Sequence, residues 1–126
     1  MAEKLFHRHL GGFPASILDT GCGTGRDLEY LAKNCEDRVG VDYQESMIGY
    51  ARKQRPSIDS RTGDMRTLRL DRTFAAIVSF GYAIANIHEN AELDQVMATY
   101  AAHSAAGTLL VLEVINATNP LPLPAG

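Results

Sequence analysis

Three glycines at alternate positions, Gly21, Gly23 and Gly25, follow the acidic Asp19 in a short polar run. Glycine accepts positive φ and removes the side chain that would block a bound group, so this backbone can approach a ligand closely. A helix opening near Thr24 would aim unpaired amides and the positive end of its dipole at the same spot. Such a loop can hold a carboxylate or a nucleotide-like ribose. Two further acids lie where they could complete the site. Asp42 ends the next apolar stretch and places a carboxylate where ribose hydroxyls would lie. Asp64, in Gly63-Asp64-Met65, can accept from an adenine amino group while the following amide donates to the ring.

Each feature also has a plainer reading. A dinucleotide loop is G-x-G-x-x-G, with the third glycine allowing close helix packing. Here Arg26 stands where that glycine would fall, which argues against a nicotinamide-dependent oxidoreductase. The acid at Asp42 is common to both kinds of site and does not discriminate. Asp42 and Asp64 could equally serve as cap or turn residues, and Met47 could be ordinary core. His88 and Tyr82, in the segment before Asn90, are the candidates for catalysis, since a histidine near neutrality can take a proton from an acceptor amine or hydroxyl. An exposed loop histidine without a role is the competing reading. His103, at a helix end where a cation suits the dipole, reads as structural. Cys22 has no paired base in view and is not a nucleophile candidate. His7 and His9 have no neighbouring ligands, so no metal site is expected.

These residues need a scaffold, and the periodicity supplies one. Ala15 to Asp19, Arg38 to Asp42, Ile58 to Thr62, Phe74 to Phe80 and Thr108 to Ile115 read as strands. Between them, Thr24 to Cys35 carries apolar residues at i, i+3, i+4 and i+7, and Glu45 to Gln54 buries Met47, Ile48 and Ala51 before Pro56. Asn90 could cap a third helix with the face Leu93, Val96, Met97, Tyr100 and Ala101, broken by Gly107. Strand and helix in alternation imply a parallel sheet with helices on both faces, and a ligand at the carboxyl ends of the strands. One domain, 1–126, is expected, with 116–126 a proline-rich tail.

Composition removes several classes. A net charge of −3 gives no reason to expect nucleic acid or an anionic membrane surface as partner. No apolar run approaches the roughly 20 residues of a membrane span. The charged first ten residues do not read as a secretory signal, and two cysteines form no disulfide framework. A cytoplasmic protein is expected.

Ile17-Leu18-Asp19-Thr20-Gly21-Cys22-Gly23-Thr24-Gly25 resembles the first motif of class I S-adenosylmethionine-dependent methyltransferases. Val39-Gly40-Val41-Asp42 with Ser46-Met47 resembles their second motif, and Gly63-Asp64-Met65 their third. Ser79-Phe80-Gly81-Tyr82 and Ala101-Ala102-His103 are similar to small-molecule N-methyltransferases, including those acting on nucleotide-linked amino sugars. The resemblance implies a Rossmann-like fold, S-adenosyl-L-methionine as cofactor and S-adenosyl-L-homocysteine as product, with methyl transfer to a nitrogen or oxygen of a small molecule. It implies that Asp19 and the loop Gly21, Cys22, Gly23 and Gly25 hold the methionine part. Asp42 would bind the ribose hydroxyls, Tyr43 and Met47 would pack beside ribose and adenine, and Gly63, Asp64 and the Met65 amide would recognise adenine. Ser79 and Phe80 would lie beside the sulfonium. Such enzymes continue past the fifth strand with an antiparallel pair, which this chain is expected to lack. The expectation is therefore a fragment, or a chain needing a homo-oligomeric copy or partner over its exposed sheet edge. The alternative function is a cofactor-binding but inactive module.

Overall fold

A computed structural model of the chain describes residues 2–31, 34–79 and 90–112. Phe80, Tyr82, His88 and the 116–126 tail fall outside them. Five parallel strands form one sheet in the order β3-β2-β1-β4-β5. They are β1 (Ser16–Thr20), β2 (Asp37–Asp42), β3 (Asp59–Thr62), β4 (Phe74–Ser79) and β5 (Ser104–Leu112), interleaved with α1 (Ala2–Leu10), α2 (Arg26–Leu31), α3 (Glu45–Gln54) and α4 (Asn90–Ala102). No antiparallel strand occurs among the described residues.

The central strands are mostly buried because both sheet faces are covered, and their alternation sorts apolar residues between two cores. Ile17, Ala76 and Val78 join Phe6 of α1, Leu28 of α2, Ile58 and Val111 on one face. Leu18, Val39, Val41 and Ile77 join Val96 and Tyr100 of α4 on the other. The outer strand β3 is blunted by charge, with Arg61 held by Asp59 across the exposed surface at 2.8 Å, which discourages edge pairing.

Three expectations change. Sequence periodicity does not mark α1 as a helix, yet its Phe6 is fully buried. Its only large apolar residues are Leu5, Phe6 and Leu10, too few for a periodic face, while His7, Arg8 and His9 suit the negative end of its dipole. Gly107 does not break α4. The helix ends at Ala102, and Gly107, at φ 89°, lies inside β5 where the register against β4 slips between Phe74 and Ala76. It supplies a bulge. The buried face of α4 is Val96, Thr99 and Tyr100, leaving Leu93 and Met97 exposed.

His103 explains the shifted face. It is buried, its Nε2 accepts from the Leu70 amide at 2.9 Å, and its Nδ1 lies 2.7 Å from the Thr99 carbonyl. A nitrogen that accepts from an amide carries no proton, so Nδ1 is the donor and the ring is neutral. The helix-end cation suggested by sequence position is instead a neutral staple joining α4 to the β3–β4 connection.

Candidate functional site

The carboxyl ends of β1, β2 and β3 open into a cavity of about 650 Å³. Its wall begins with the glycine loop. Gly21, Gly23 and Gly25 all have positive φ, a region closed to most side chains. The loop is fixed by the Gly21 and Cys22 amides, which donate to the Val41 carbonyl at 2.6 and 3.0 Å, and by the Gly25 amide donating to Cys22 at 2.9 Å.

Asp42 is the hinge between this loop and the next. Its Oδ2 accepts from the Gly23 amide and its Oδ1 from the Gln44 amide, each at 2.9 Å. The turn role and the ligand role are thus not exclusive. Two amides orient the carboxylate, and its remaining lone pairs stay available to a pair of vicinal hydroxyls. Beyond Asp42, Tyr43 and Met47 line the cavity. Tyr43 is 70% exposed and Met47 39%, so Met47 is not the core residue that helix periodicity offered; Ile48 and Ala51 alone are buried in α3.

Gly63, Asp64 and Met65 close the wall from β3. A Cβ at Gly63 would stand 3.0 Å from Val41 Cγ1, which leaves little room for any other residue there. Asp64 is tied up in a way its sequence neighbourhood did not announce. Arg66 donates to both its carboxylate oxygens and extends its other edge to Glu92, at 2.7 Å, at the start of α4. That contact spans a long sequence gap, and no local pattern signals it. Thr24, Arg26, Asp27 and Gln44 also line the cavity, beyond the residues expected to hold the cofactor. Arg55, at the end of α3, reaches the Thr24 carbonyl at 3.3 Å and Glu29 at 3.2 Å, clamping the loop from outside.

Some expected residues lie off the wall. Gly25 is buried beneath Arg55. The Ser79 hydroxyl donates to the Thr20 carbonyl at 2.8 Å, beside Tyr100, whose phenol lies 2.9 Å from the Thr20 hydroxyl. The Ser79 hydroxyl thereby ties β4 to β1 close to α4. Asp19 is buried behind the loop, and its Oδ1 has no hydrogen-bond partner among the described residues. Burial, with the charges of Asp27 and Asp42 nearby, pushes its carboxyl up to about 8. An orphaned carboxyl beside a glycine loop fits a group that brings a positive charge. Burial, then the charges of Asp19 and Asp42, push the Cys22 thiol up to about 12.

The side chain of Cys22 also explains a glycine in β2. A Cβ on Gly40 would meet Cys22 Sγ at 2.8 Å, Cys22 Cβ at 3.0 Å and Leu28 at 3.3 Å. Gly40→Ala is expected to destabilise the protein by about 1–3 kcal/mol and to displace the loop. Urea unfolding checks the first effect, and amide chemical shifts at Gly21–Gly25 the second. A fully stable variant with unmoved shifts would show that the loop has slack.

A parallel sheet with a glycine loop after β1 and a carboxylate after β2 defines a nucleotide-cofactor domain of the Rossmann-like kind. Residues 17–107 match the family described as methyltransferase domain, more than half of the chain. The chain belongs to that family, within class I of the S-adenosylmethionine-dependent methyltransferases. It is 37% identical over 99 residues to dTDP-3-amino-3,4,6-trideoxy-alpha-D-glucopyranose N,N-dimethyltransferase of Streptomyces venezuelae, covering 79% of this chain and 42% of that one. Among solved structures it resembles Streptomyces venezuelae DesVI, at 31% identity and TM-score 0.87, over 96% of this chain and 51% of the other. It also resembles the S-adenosylmethionine-bound CalS10, an amino pentose methyltransferase from Micromonospora echinaspora, at 32% identity and TM-score 0.84, over 90% and 48%. The chain thus spans about half the length of these relatives.

Proposed function

We propose that the chain binds S-adenosylmethionine and provides the cofactor-holding part of an enzyme that methylates an amino nitrogen of a small molecule, a nucleotide-linked amino sugar being the favoured class. The observation that carries this reading is Asp42, its carboxylate pinned by the Gly23 and Gln44 amides at the cavity wall. The dimethyltransferase relative and the amino pentose methyltransferase CalS10 support the acceptor class.

In this proposal Asp42 holds the ribose hydroxyls, with Tyr43 and Met47 against ribose and adenine. Asp64 and the Met65 amide read adenine, with Gly63 leaving space for it. The backbone of Gly21, Cys22 and Gly23 surrounds the methionine part, Gly25 shapes the loop from behind, and Asp19 answers the methionine ammonium. Ser79 and Phe80 border the sulfonium. Tyr82 and His88 are assigned to the acceptor side, His88 removing the proton of an amine that arrives protonated. The cofactor brings an activated methyl group, so the protein chiefly aligns the acceptor and excludes water, effects reaching effective molarities on the order of 10⁵ M or more.

The outer edge of β5 is where a second copy or a partner chain would add a strand, since among the described residues β5 pairs only with β4. A cytoplasmic setting belongs to the same proposal, supported by the free, buried Cys22 and Cys35. Among the described residues no helix is long and apolar enough to cross a membrane.

Methyl-labelled S-adenosylmethionine incubated with the chain and a dTDP-linked amino sugar tests this reading. Label is expected on the sugar nitrogen. Asp42→Ala is expected to weaken cofactor binding about 100-fold or more, because two charge-assisted hydrogen bonds are lost. Cofactor binding without transfer to any amino sugar would leave a binding module that needs a partner. Unchanged binding by Asp42→Ala would remove Asp42 from the site.

A further inference from the structure

The two outer edges of the sheet are built differently. At β3, Asp59 and Arg61 stand exposed and paired with each other, so a second chain arriving there would have to displace them. At β5, the residues Ser104–Leu112 include no charged side chain, and among the described residues they pair only with β4. The first part of β5 is irregular. Gly107 has positive φ, and the Thr108 hydroxyl accepts from the Ala105 amide at 2.9 Å and donates to the Phe74 carbonyl at 2.7 Å. Regular pairing with β4 runs from Leu109 to Leu112.

The flank of α4 beside this edge is apolar as well. Glu92 and Thr99 are held by Arg66 and Arg69 of the β3–β4 connection, at 2.7 and 2.8 Å, so that flank faces the middle of the sheet. By helical spacing Leu93 and Met97 lie on the opposite flank, turned toward β5. They are 37% and 38% exposed, and Leu110 is 40% exposed. Leu110 points to the α4 side, because Leu109 and Val111 pack into the core on the α1 side and Leu112 into the one beneath α4. An open row of backbone groups therefore lies beside three exposed apolar side chains.

Charge and symmetry select the occupant. Each chain carries a net charge of −3, so two copies meet at least cost where neither presents a charge. An antiparallel copy related by a two-fold axis through Leu110 sets Leu110 against Leu110, Leu109 against Val111 and Thr108 against Leu112. No charge faces another in that register, and each residue meets one on its own face of the sheet. Leu93 and Met97 of both copies then flank the Leu110 pair.

We propose that β5 is the interface of a homodimer, in which two copies pair antiparallel about Leu110 and their five-stranded sheets become one. This rests on the reading above that β5 takes a further strand, and it names the chain that supplies it. The cavities open at the carboxyl ends of β1, β2 and β3, on the far side of β4 from the joint, so each copy keeps its own cofactor site.

Sedimentation of the full chain, with cross-linking of cysteine variants, tests both the interface and its register. Wild type is expected to sediment at about twice the 13.7 kDa of one chain. Leu110→Lys is expected to be monomeric, because two ammonium groups would face each other across the pair. Tyr50→Lys, on α3 away from the edge, is expected to remain a dimer. Cys22 and Cys35 are buried, so an introduced surface cysteine is the accessible thiol. A short thiol cross-linker is expected to join Leu110→Cys into a covalent dimer ~5-fold faster or more than Tyr50→Cys, since facing Cβ atoms lie about 5 Å apart. That comparison decides the question even if Leu110→Lys fails to fold. Wild type that stays monomeric at hundreds of micromolar would overturn the homodimer and leave the edge to a different chain. A dimer that survives Leu110→Lys, or cross-links no faster at 110 than at 50, has its interface elsewhere and overturns it equally. Titration of S-adenosylhomocysteine into the same samples keeps the two readings apart. A monomeric wild type that binds it contradicts only the homodimer, and a dimer that fails to bind it contradicts only the cofactor reading.

Discussion

Asparagine at position 19 is expected to make the unliganded protein more stable and its cofactor complex weaker. Asp19 is buried with an Oδ1 that has no partner among the described residues, and its carboxyl is pushed from the ordinary 3.8 up to about 8 by burial, Asp27 and Asp42. Between those values the folded chain keeps a proton that the unfolded chain has released. Stability attached to Asp19 is therefore fully present below about pH 4 and falls as pH rises, at up to ~1.4 kcal/mol per pH unit, levelling off above about pH 8. Asparagine has no such slope. Allowing for its own unpaired amide, Asp19→Asn should be more stable by about 2–3 kcal/mol at pH 8 and no more stable near pH 4. Urea unfolding at the two pH values checks this. A cationic group on the ligand would offset the cost in wild type, and losing that charge pair should weaken S-adenosylhomocysteine binding about 100-fold. A variant stabilised at pH 8 but unaltered in binding would leave Asp19 a residue of the core.

The second large effect concerns folding alone. His103→Ala would strand the Leu70 amide and the Thr99 carbonyl, both partners of the ring, and open a hole beside Phe74, whose ring centroid lies 6.2 Å away. Two lost buried hydrogen bonds and a cavity amount to about 3 kcal/mol or more. For a chain of this size that corresponds to a melting temperature lower by about 10 °C. His103→Gln, which can still make one of the bonds, should fall between. Thermal unfolding of both variants decides the matter, and an alanine variant within a degree of wild type would refute the staple.

What sequence reading could reach follows from where each signal resides. The glycine loop, Asp42 and Gly63-Asp64 are local patterns, and the structure brings Gly21, Cys22, Gly23, Asp42, Tyr43, Met47, Gly63, Asp64 and Met65 to one cavity. The helix Glu45–Gln54 has the predicted bounds because Pro56 and a clear apolar face mark them. The remaining differences are tertiary. Arg66 matters through Glu92, His103 through Leu70, and Gly40 through Cys22, pairs that no periodicity links. Thr99 is buried because it lies beneath the sheet next to His103, overriding the apolar pattern that favoured Met97. The glycine at 107 looked like a helix breaker because bulge and breaker use the same positive φ. Tyr82, His88 and Phe80 lie outside the described residues; the expected role of Phe80 rests on the family resemblance, and those of His88 and Tyr82 on residue type and their place before Asn90.

The central claim is that this cavity holds S-adenosylmethionine, and calorimetric titration of S-adenosylhomocysteine into the chain at pH 6.5 and 8, with NAD alongside, tests it most directly. The account predicts saturable binding at one site, tighter at pH 8 because less work is then needed to ionise Asp19, and no binding of NAD. A folded protein that takes up NAD, or takes up neither compound, would contradict it.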